Sequence, residues 1–316
     1  MSTLICSTCG RVFPLDYPNW RCTCDSVLDI SPVLGFDPAM VQGRKPSLWR
    51  YRGSLPIAAD AFIVSFDEGL TPLLPVDFGG VTVLVKQDHL FPTGSYKDRG
   101  ATVLISHAKA LGVRRVVEDS SGNAGCAIAA YCARAGIECT IYVPESTSPG
   151  KLAQIQHYGA TLVRVPGSRA DTAKAALQAA EGAYYASHSW NPFFFQGTKT
   201  FAYEVCEQLG WKAPDSVVLP VGNGTLLLGA FIGFTELMLS GVIAQVPRLV
   251  GVQAEACAPL YAAFQENSDR PWPVTAGHTL AEGIAIADPI RGPQLLRAVR
   301  QSGGHLIIVT DEEIRA

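Results

Sequence analysis

After Glu68–Leu73 the chain alternates short apolar runs with longer segments of helical period. VTVLVK (81–86), RRVVE (114–118), CTIYVP (139–144), ATLVRV (160–165), SVVLPV (216–221) and PRLVGVQAE (247–255) are short and rich in β-branched residues, which predicts strands. Between them lie KDRGATVLISHAKALG (97–112), NAGCAIAAYCARAG (123–136), PGKLAQIQHYG (149–159), SRADTAKAALQAAEG (168–182), GTKTFAYEVCEQLG (197–210) and TLLLGAFIGFTELMLSG (225–241), which predict helices. Pro149 near a start and Gly112, Gly136 and Gly159 at ends punctuate them. This order predicts an α/β fold with two open, mostly parallel twisted sheets flanked by helices. The first thirty residues break the pattern, being poor in helical period and rich in Cys, Pro and polar residues. No internal repeat or low-complexity tract is present.

A length of 316 residues suits about two domains and a small extra module. Hydrophobic residues make up 48% and charged residues 17%, enough for a sizeable core. The net charge is −3 with no long run of one sign, so no nucleic-acid partner is expected. No apolar run reaches the length of a membrane span, and MSTLICSTCG lacks a basic-then-apolar signal pattern. The expectation is a cytoplasmic protein with no membrane partner.

Four of the nine cysteines fall in the first 24 residues. In a reducing compartment such clustering points to metal rather than disulfides. Cys6-x-x-Cys9 and Cys22-x-Cys24 form a tetrad suited to tetrahedral zinc, and Gly10 fits the tight turn of a knuckle. Four thiolates leave no open position, so such a zinc would be structural. The alternative is four unrelated thiols. Cys126, Cys132, Cys139, Cys206 and Cys257 lie in apolar patterns and read as small core residues.

Three glycine-containing turns carry the candidate chemistry. PTGSYKDRG (92–100) puts Lys97 at a helix start, where the dipole and free N–H groups disfavour an ammonium and favour a nucleophilic amine. Ser120-Ser121-Gly122-Asn123-Ala124-Gly125 follows a strand and precedes a helix, a setting that can hold a carboxylate. Val221-Gly222-Asn223-Gly224-Thr225 resembles a phosphate cradle of backbone amides and a hydroxyl, without the lysine of a nucleotide-binding P-loop. A dinucleotide fingerprint would follow the first strand, and this turn lies far down the chain. Each turn alone also suits an ordinary strand–helix connection. Together they describe a site for a phosphorylated aldehyde cofactor, the logic of pyridoxal phosphate (PLP).

EGLTPLL (68–74), PTGSYKDRGA (92–101), SSGNAG (120–125), NPFFFQGTKTFAYEV (191–205) and LPVGNGT (219–225) resemble threonine synthase, a family of the tryptophan-synthase-β-like, fold-type II PLP enzymes. The resemblance runs from about residue 4 onward, and a Cys-rich ribbon before the EGxTPL motif is a feature of many threonine synthases. It implies that Lys97 bonds to the cofactor aldehyde and shuttles protons, and that Asn123 bonds the cofactor 3-hydroxyl. It implies that Ser120, Ser121 and Gly122 grip the carboxylate of a small amino-acid substrate. Gly222, Asn223, Gly224 and Thr225 would hold the cofactor phosphate. The implied reaction converts O-phospho-L-homoserine and water to threonine and phosphate. The implied domains are a zinc-ribbon-like module (1–30), a larger cofactor-binding domain (31–92 and 197–316) and a smaller domain (93–196). Proteins of this family are often dimers, so a homodimer is a further expectation.

The sequence departs from the family in three places. The stretch that usually reads NSLNPYRLEGQKT is here His188 to Thr200, HSWNPFFFQGTKT. Ser189 is kept, but His188 replaces the Asn and Phe194 replaces the Arg that binds substrate phosphate. An Arg–phosphate fork is strong and geometry-specific, so its loss suggests a smaller or less charged substrate unless His188 or Lys199 compensates. Core packing is the other reading of Phe193–Phe195. TLAEGI (279–284) is closer to the T-x-A-D/E-G element of serine and threonine dehydratases, with Glu282 either near the cofactor ring or a solvated cap. The family's Ser or Thr on the pyridine nitrogen has no match within residues 1–316. The alternative function is therefore β-elimination or β-replacement, as in dehydratases or cysteate synthase. A zinc-ribbon scaffold without catalysis is the third reading, and the intact lysine and loops count against it.

Overall fold

The computed structural model describes residues 2–316. Contacts divide the chain into two compact units, one running up to Val33 and from Met40–Thr198, the other Leu34–Ala39 and Lys199–Ala316. Residues 40–92 fall in the first unit, whereas the expected domain scheme grouped 31–92 with 197–316.

The first unit opens with β1 (Leu4–Cys6), β2 (Val12–Phe13) and β3 (Leu28–Ile30), a small antiparallel sheet in the order β2-β1-β3. β4 (Leu73–Phe78) and β5 (Val81–Lys86) then form an antiparallel hairpin across Gly79 and Gly80, both with positive φ. The strand expected at 81–86 thus pairs locally and joins neither parallel sheet. Next come α1 (Lys97–Ala110), β6 (Arg115–Glu118), α2 (Asn123–Ala135), β7 (Glu138–Pro144), α3 (Pro149–His157), β8 (Thr161–Val165), α4 (Arg169–Ala179), β9 (Tyr184–Tyr185) and α5 (Pro192–Thr198).

The strands of this stretch form one parallel sheet, β8-β7-β6-β9. Successive side chains on a strand point to opposite faces. Val116, Cys139 and Ile141 accordingly join a core with Leu104, Ile128 and Leu152 from α1, α2 and α3. Val117, Tyr142 and Tyr185 face the other way and pack with Ala176 of α4. The sheet is covered by helices on both faces because its strands carry apolar residues on both. Leu4, Cys6, Cys22 and Leu28 of the N-terminal module belong to the same core as Ala101, Leu104 and Phe193.

The second unit holds α6 (Thr200–Gln208), β10 (Ser216–Pro220), α7 (Thr225–Leu239), β11 (Arg248–Ala254), α8 (Pro259–Gln265), α9 (Gly292–Gln301), β12 (His305–Val309) and α10 (Asp311–Arg315). Its three strands are parallel in the order β10-β11-β12. The single helix expected over 197–210 is two, α5 and α6, with Lys199 between them. All five cysteines read as core residues are buried.

Two glycines let α1 and α5 cross at backbone distance. A Cβ on Gly197 would collide with the Arg99 carbonyl and come within 2.7 Å of the Gly100 Cα. A Cβ on Gly100 would enter the Phe194 ring. Gly197→Ala should therefore lower stability by roughly 1–3 kcal/mol through overpacking. Gly150→Ala, in open space on α3, should be neutral or slightly stabilising. Denaturant midpoints of the two variants check this contrast.

Candidate active site

Lys97 is the first residue of α1, and the residues around it hold the helix start in place. The buried Asp98 carboxylate accepts from the Thr93 backbone N–H at 2.8 Å and from the Thr93 hydroxyl. Burial pushes its carboxyl up to about 6, with the Thr93 bonds acting in the opposite direction. Arg99, fully buried, makes a two-pronged pair with Asp88, Nε to Oδ2 at 2.9 Å and Nη2 to Oδ1 at 2.8 Å. Thr71 also donates to Asp88, at 2.7 Å. The Asp and Arg of KDRG are thus structural anchors that leave Lys97 half-buried at the helix end. Its Nζ lies 4.7 Å from the Tyr96 ring and 5.8 Å from the Phe194 ring.

Glu68 of EGLTPLL is an anchor of the same kind. Its buried carboxylate accepts from the Phe66 N–H at 2.7 Å, the Ser65 hydroxyl at 3.0 Å and the Trp49 indole at 3.2 Å.

The loop 120–125 links β6 to α2, a 13-residue helix that begins at Asn123. Ser120 is buried and its hydroxyl accepts from the Gly122 N–H at 3.3 Å. Ser121 is half-buried, and Gly122 and Asn123 are exposed. A Cβ on Gly125 would strike the Ser120 carbonyl, so the loop folds this tightly only with glycine there.

Glu118, the last residue of β6, escaped the sequence reading. Its carboxyl is fully buried and Oε1 lies 2.7 Å from His188 Nδ1. Burial pushes the Glu118 carboxyl up to about 8, with the His188 and Asp119 backbone amides and the Lys97 and Arg169 charges working against the rise. Burial also holds the His188 imidazole well below its ordinary range, helped by Lys97 and opposed by Asp119. Both shifts run toward the uncharged forms, as burial of the pair demands. An ionised carboxylate at this depth would have been costly. The sequence signal for this pair is weak: a Glu ending a strand and a His where the family has Asn.

Phe194 is fully buried against Gly100, with its ring 6.0 Å from the His188 ring. Ser189 is buried, and its hydroxyl lies 3.2 Å from that of Ser187. Lys199 is fully buried in the second unit, 2.8 Å from Glu236 Oε2, and Tyr203 donates to the same carboxylate at 2.7 Å.

In the second unit, residues 221–225 connect β10 to α7, whose 15 residues start at Thr225. Gly224 sits in the left-handed region at φ +66° and caps the helix. Thr225 is buried. A Cβ on Gly222 would lie 2.9 Å from the Ile284 Cα and from Ile286 Cγ1, so the TLAEGI segment backs this turn. Glu282 is exposed and opens a short 3₁₀ turn. A long helix start beneath a left-handed glycine, with a hydroxyl at its first position, fits a phosphate group. A half-buried amine at Lys97 fits an aldehyde.

Cys6, Cys9, Cys22 and Cys24 converge in the N-terminal module, with all four Sγ atoms within 4.8 Å of one another. Cys6–Cys24 and Cys9–Cys22 stand 3.5 and 3.6 Å apart. Thiolates about 2.3 Å from a tetrahedral zinc lie roughly 3.8 Å from each other, so the donor set fits that ion. Gly10, at φ +70°, returns its N–H to the Cys6 carbonyl at 3.1 Å and closes the first knuckle.

Comparison with known proteins agrees with this chemistry. The family model described as pyridoxal-phosphate dependent enzyme matches residues 64–316. The chain belongs to that family, as a threonine synthase-like member of fold type II. It is 36% identical to threonine synthase of Methanocaldococcus jannaschii, over 98% of this chain and 79% of that one. It is 34% identical to threonine synthase of Methanosarcina acetivorans, over 100% and 80%. Among solved structures, a threonine deaminase from T.th. superposes with a TM-score of 0.65 at 27% identity, covering 77% of this chain and 78% of that one. No helix among the described residues is long and apolar enough to cross a membrane.

The buried acid makes a prediction for stability. The Glu118 contribution is fully present below its unfolded value, near 4.5, and is lost as pH rises through about 8. His188, with a lowered value, acts in the opposite sense: its contribution is present above about 6.5 and is lost as pH falls from there toward its lower folded value. Thermal melts from about pH 6 to about pH 9 should show wild type losing more stability than Glu118→Gln. Parallel curves would contradict the assignment.

Proposed function

We propose that the chain is a PLP-dependent lyase acting on an L-amino acid with an oxygen-bonded leaving group. Its first candidate reaction is that of threonine synthase, O-phospho-L-homoserine and water to L-threonine and phosphate. The observation that carries the lyase reading is the family match spanning residues 64–316, with a half-buried lysine at the start of α1. Near-full-length similarity to threonine synthases supports the first substrate. A second reading, β-elimination or β-replacement on serine, threonine or O-phosphoserine, is favoured by Phe194, buried where the family places its phosphate-binding Arg.

In this reading Lys97 holds the cofactor through its amine and, once displaced, takes and returns the Cα proton. Asn123 bonds the cofactor 3-hydroxyl, while Gly222, Asn223, Gly224 and Thr225 hold its phosphate. Ser120, Ser121 and Gly122 take the substrate carboxylate, with His188 and Ser189 toward its side chain. PLP, when bound, supplies a sink for the electron pair left at Cα. Zinc at Cys6, Cys9, Cys22 and Cys24 is structural, and the enzyme works as a cytoplasmic homodimer.

Lys97→Ala should lose both turnover and the visible absorption of the lysine-bound cofactor. Phosphate release with threonine formation from O-phospho-L-homoserine supports the first reaction. 2-Oxo acid from L-serine or L-threonine supports the second. Metal analysis should find one zinc per chain, absent in Cys22→Ser. Because Cys6 and Cys22 share a core with α1, that variant should also melt several degrees lower, roughly the effect of 1–2 kcal/mol.

A further inference from the structure

Phe194 stands where the family has its phosphate-binding Arg, and His188 where it has Asn. His188 is buried 2.7 Å from the buried Glu118, at the foot of the loop 120–125. The centre of the Phe194 ring lies 6.0 Å from that of His188 and 5.8 Å from Lys97 Nζ. The second carboxyl oxygen, Glu118 Oε2, is buried with no hydrogen-bond partner among the described residues. Burying an oxygen in that condition is costly, and sites that bind ligands are where such a cost is met.

We propose that Glu118, paired with His188, is the acid that protonates the leaving oxygen of the substrate, so that this chain eliminates an unactivated β-hydroxyl. This rests on the second reading of the lyase, β-elimination, and narrows it to hydroxy amino acids. Hydroxide leaves poorly without a proton, whereas phosphate does not need one. An Arg serves the second case by charge, and a buried protonated acid serves the first by donation. Burial raises the carboxyl and lowers the imidazole, so both members of the pair favour their uncharged forms. Among the described residues, the charged groups that act on the pair include Asp119, to which the Tyr185 hydroxyl donates at 2.9 Å, and Lys97 and Arg169.

The step balances within the chain and its substrate. The Cα–H bond breaks and its proton goes to the Lys97 amine. Its electron pair becomes the Cα=Cβ bond. The Cβ–O bond breaks, its pair stays on oxygen, and that oxygen takes the Glu118 proton and leaves as water. The proton on Lys97 then restores Glu118–His188, so the net transfer is from Cα to the departing oxygen.

The test compares leaving groups on full-length protein loaded with PLP. L-Serine needs a proton for its hydroxyl, and β-chloro-L-alanine loses chloride without one. Glu118→Gln should lower kcat on L-serine by roughly 100-fold with KM little changed, and leave β-chloro-L-alanine within about threefold. Infrared spectra of the protein at neutral pH should contain a carboxylic-acid C=O band that Glu118→Gln lacks. Equal losses on both substrates, an unchanged L-serine rate, or no such band would overturn the proposal. Should Glu118→Gln fail to fold, wild-type pH profiles take its place: the L-serine rate should fall relative to the β-chloro-L-alanine rate as pH rises through about 8, and parallel profiles would overturn the proposal. Wild type that eliminates chloride but acts on neither L-serine nor L-threonine sinks this inference and leaves the lyase reading standing. Wild type inert toward all three, and toward O-phospho-L-homoserine, sinks both.

Discussion

The close crossing of α1 and α5 is the constraint on which the lysine-bearing unit depends. Two backbones meet there because Gly100 and Gly197 have no side chains to keep them apart. That contact fixes Lys97 three residues before Gly100. It also fixes Phe194 three residues before Gly197, and with it the segment that presents His188. Interiors this dense transmit small displacements rather than absorb them. A methyl group at the crossing would shift the amine, the aromatic ring and the imidazole together.

Buried charge in this molecule is compensated in two different ways. Arg99–Asp88 and Lys199–Glu236 are ion pairs with further hydrogen bonds, and removing one partner of such a pair costs on the order of 3–5 kcal/mol. The exposed Lys45–Asp67 pair, by contrast, contributes little, as solvent-screened pairs do. Glu118–His188 follows neither pattern. Burial drives both of its members toward their uncharged forms, which lowers the cost of placing them in the interior. The charged residues of KDRG other than Lys97 hold their places through buried hydrogen bonds, so the motif combines one reactive residue with two that keep it still.

The period of the chain between residues 97 and 255 was enough to read most strands and helices and their parallel sense, because apolar alternation on a strand and a helical stripe are local requirements of burial, but the two-residue β9 and the start of α5 left no such signal. The turns at 92–100, 120–125 and 221–225 were equally legible, since glycine is needed where a strand turns sharply into a helix. The Cys-x-x-Cys and Cys-x-Cys spacings announced a tetrad that the fold does gather. The β4–β5 hairpin and the break at Lys199 were not legible. Pairing partners and helix interruptions are settled by what each segment meets, and period alone carries no record of that.

Function divides along the same line. The alternating α/β order, the glycine turns, the cysteine tetrad and membership of the PLP-dependent family were written in the sequence, because each rests on short local patterns and their spacing along the chain. Tertiary structure alone decided that Phe194 is core against Gly100, that Lys199 is occupied by Glu236, and that Glu118 meets a histidine seventy positions away. Those pairings depend on burial and on which side chains share a low-dielectric space. That information exists only once the chain has closed on itself.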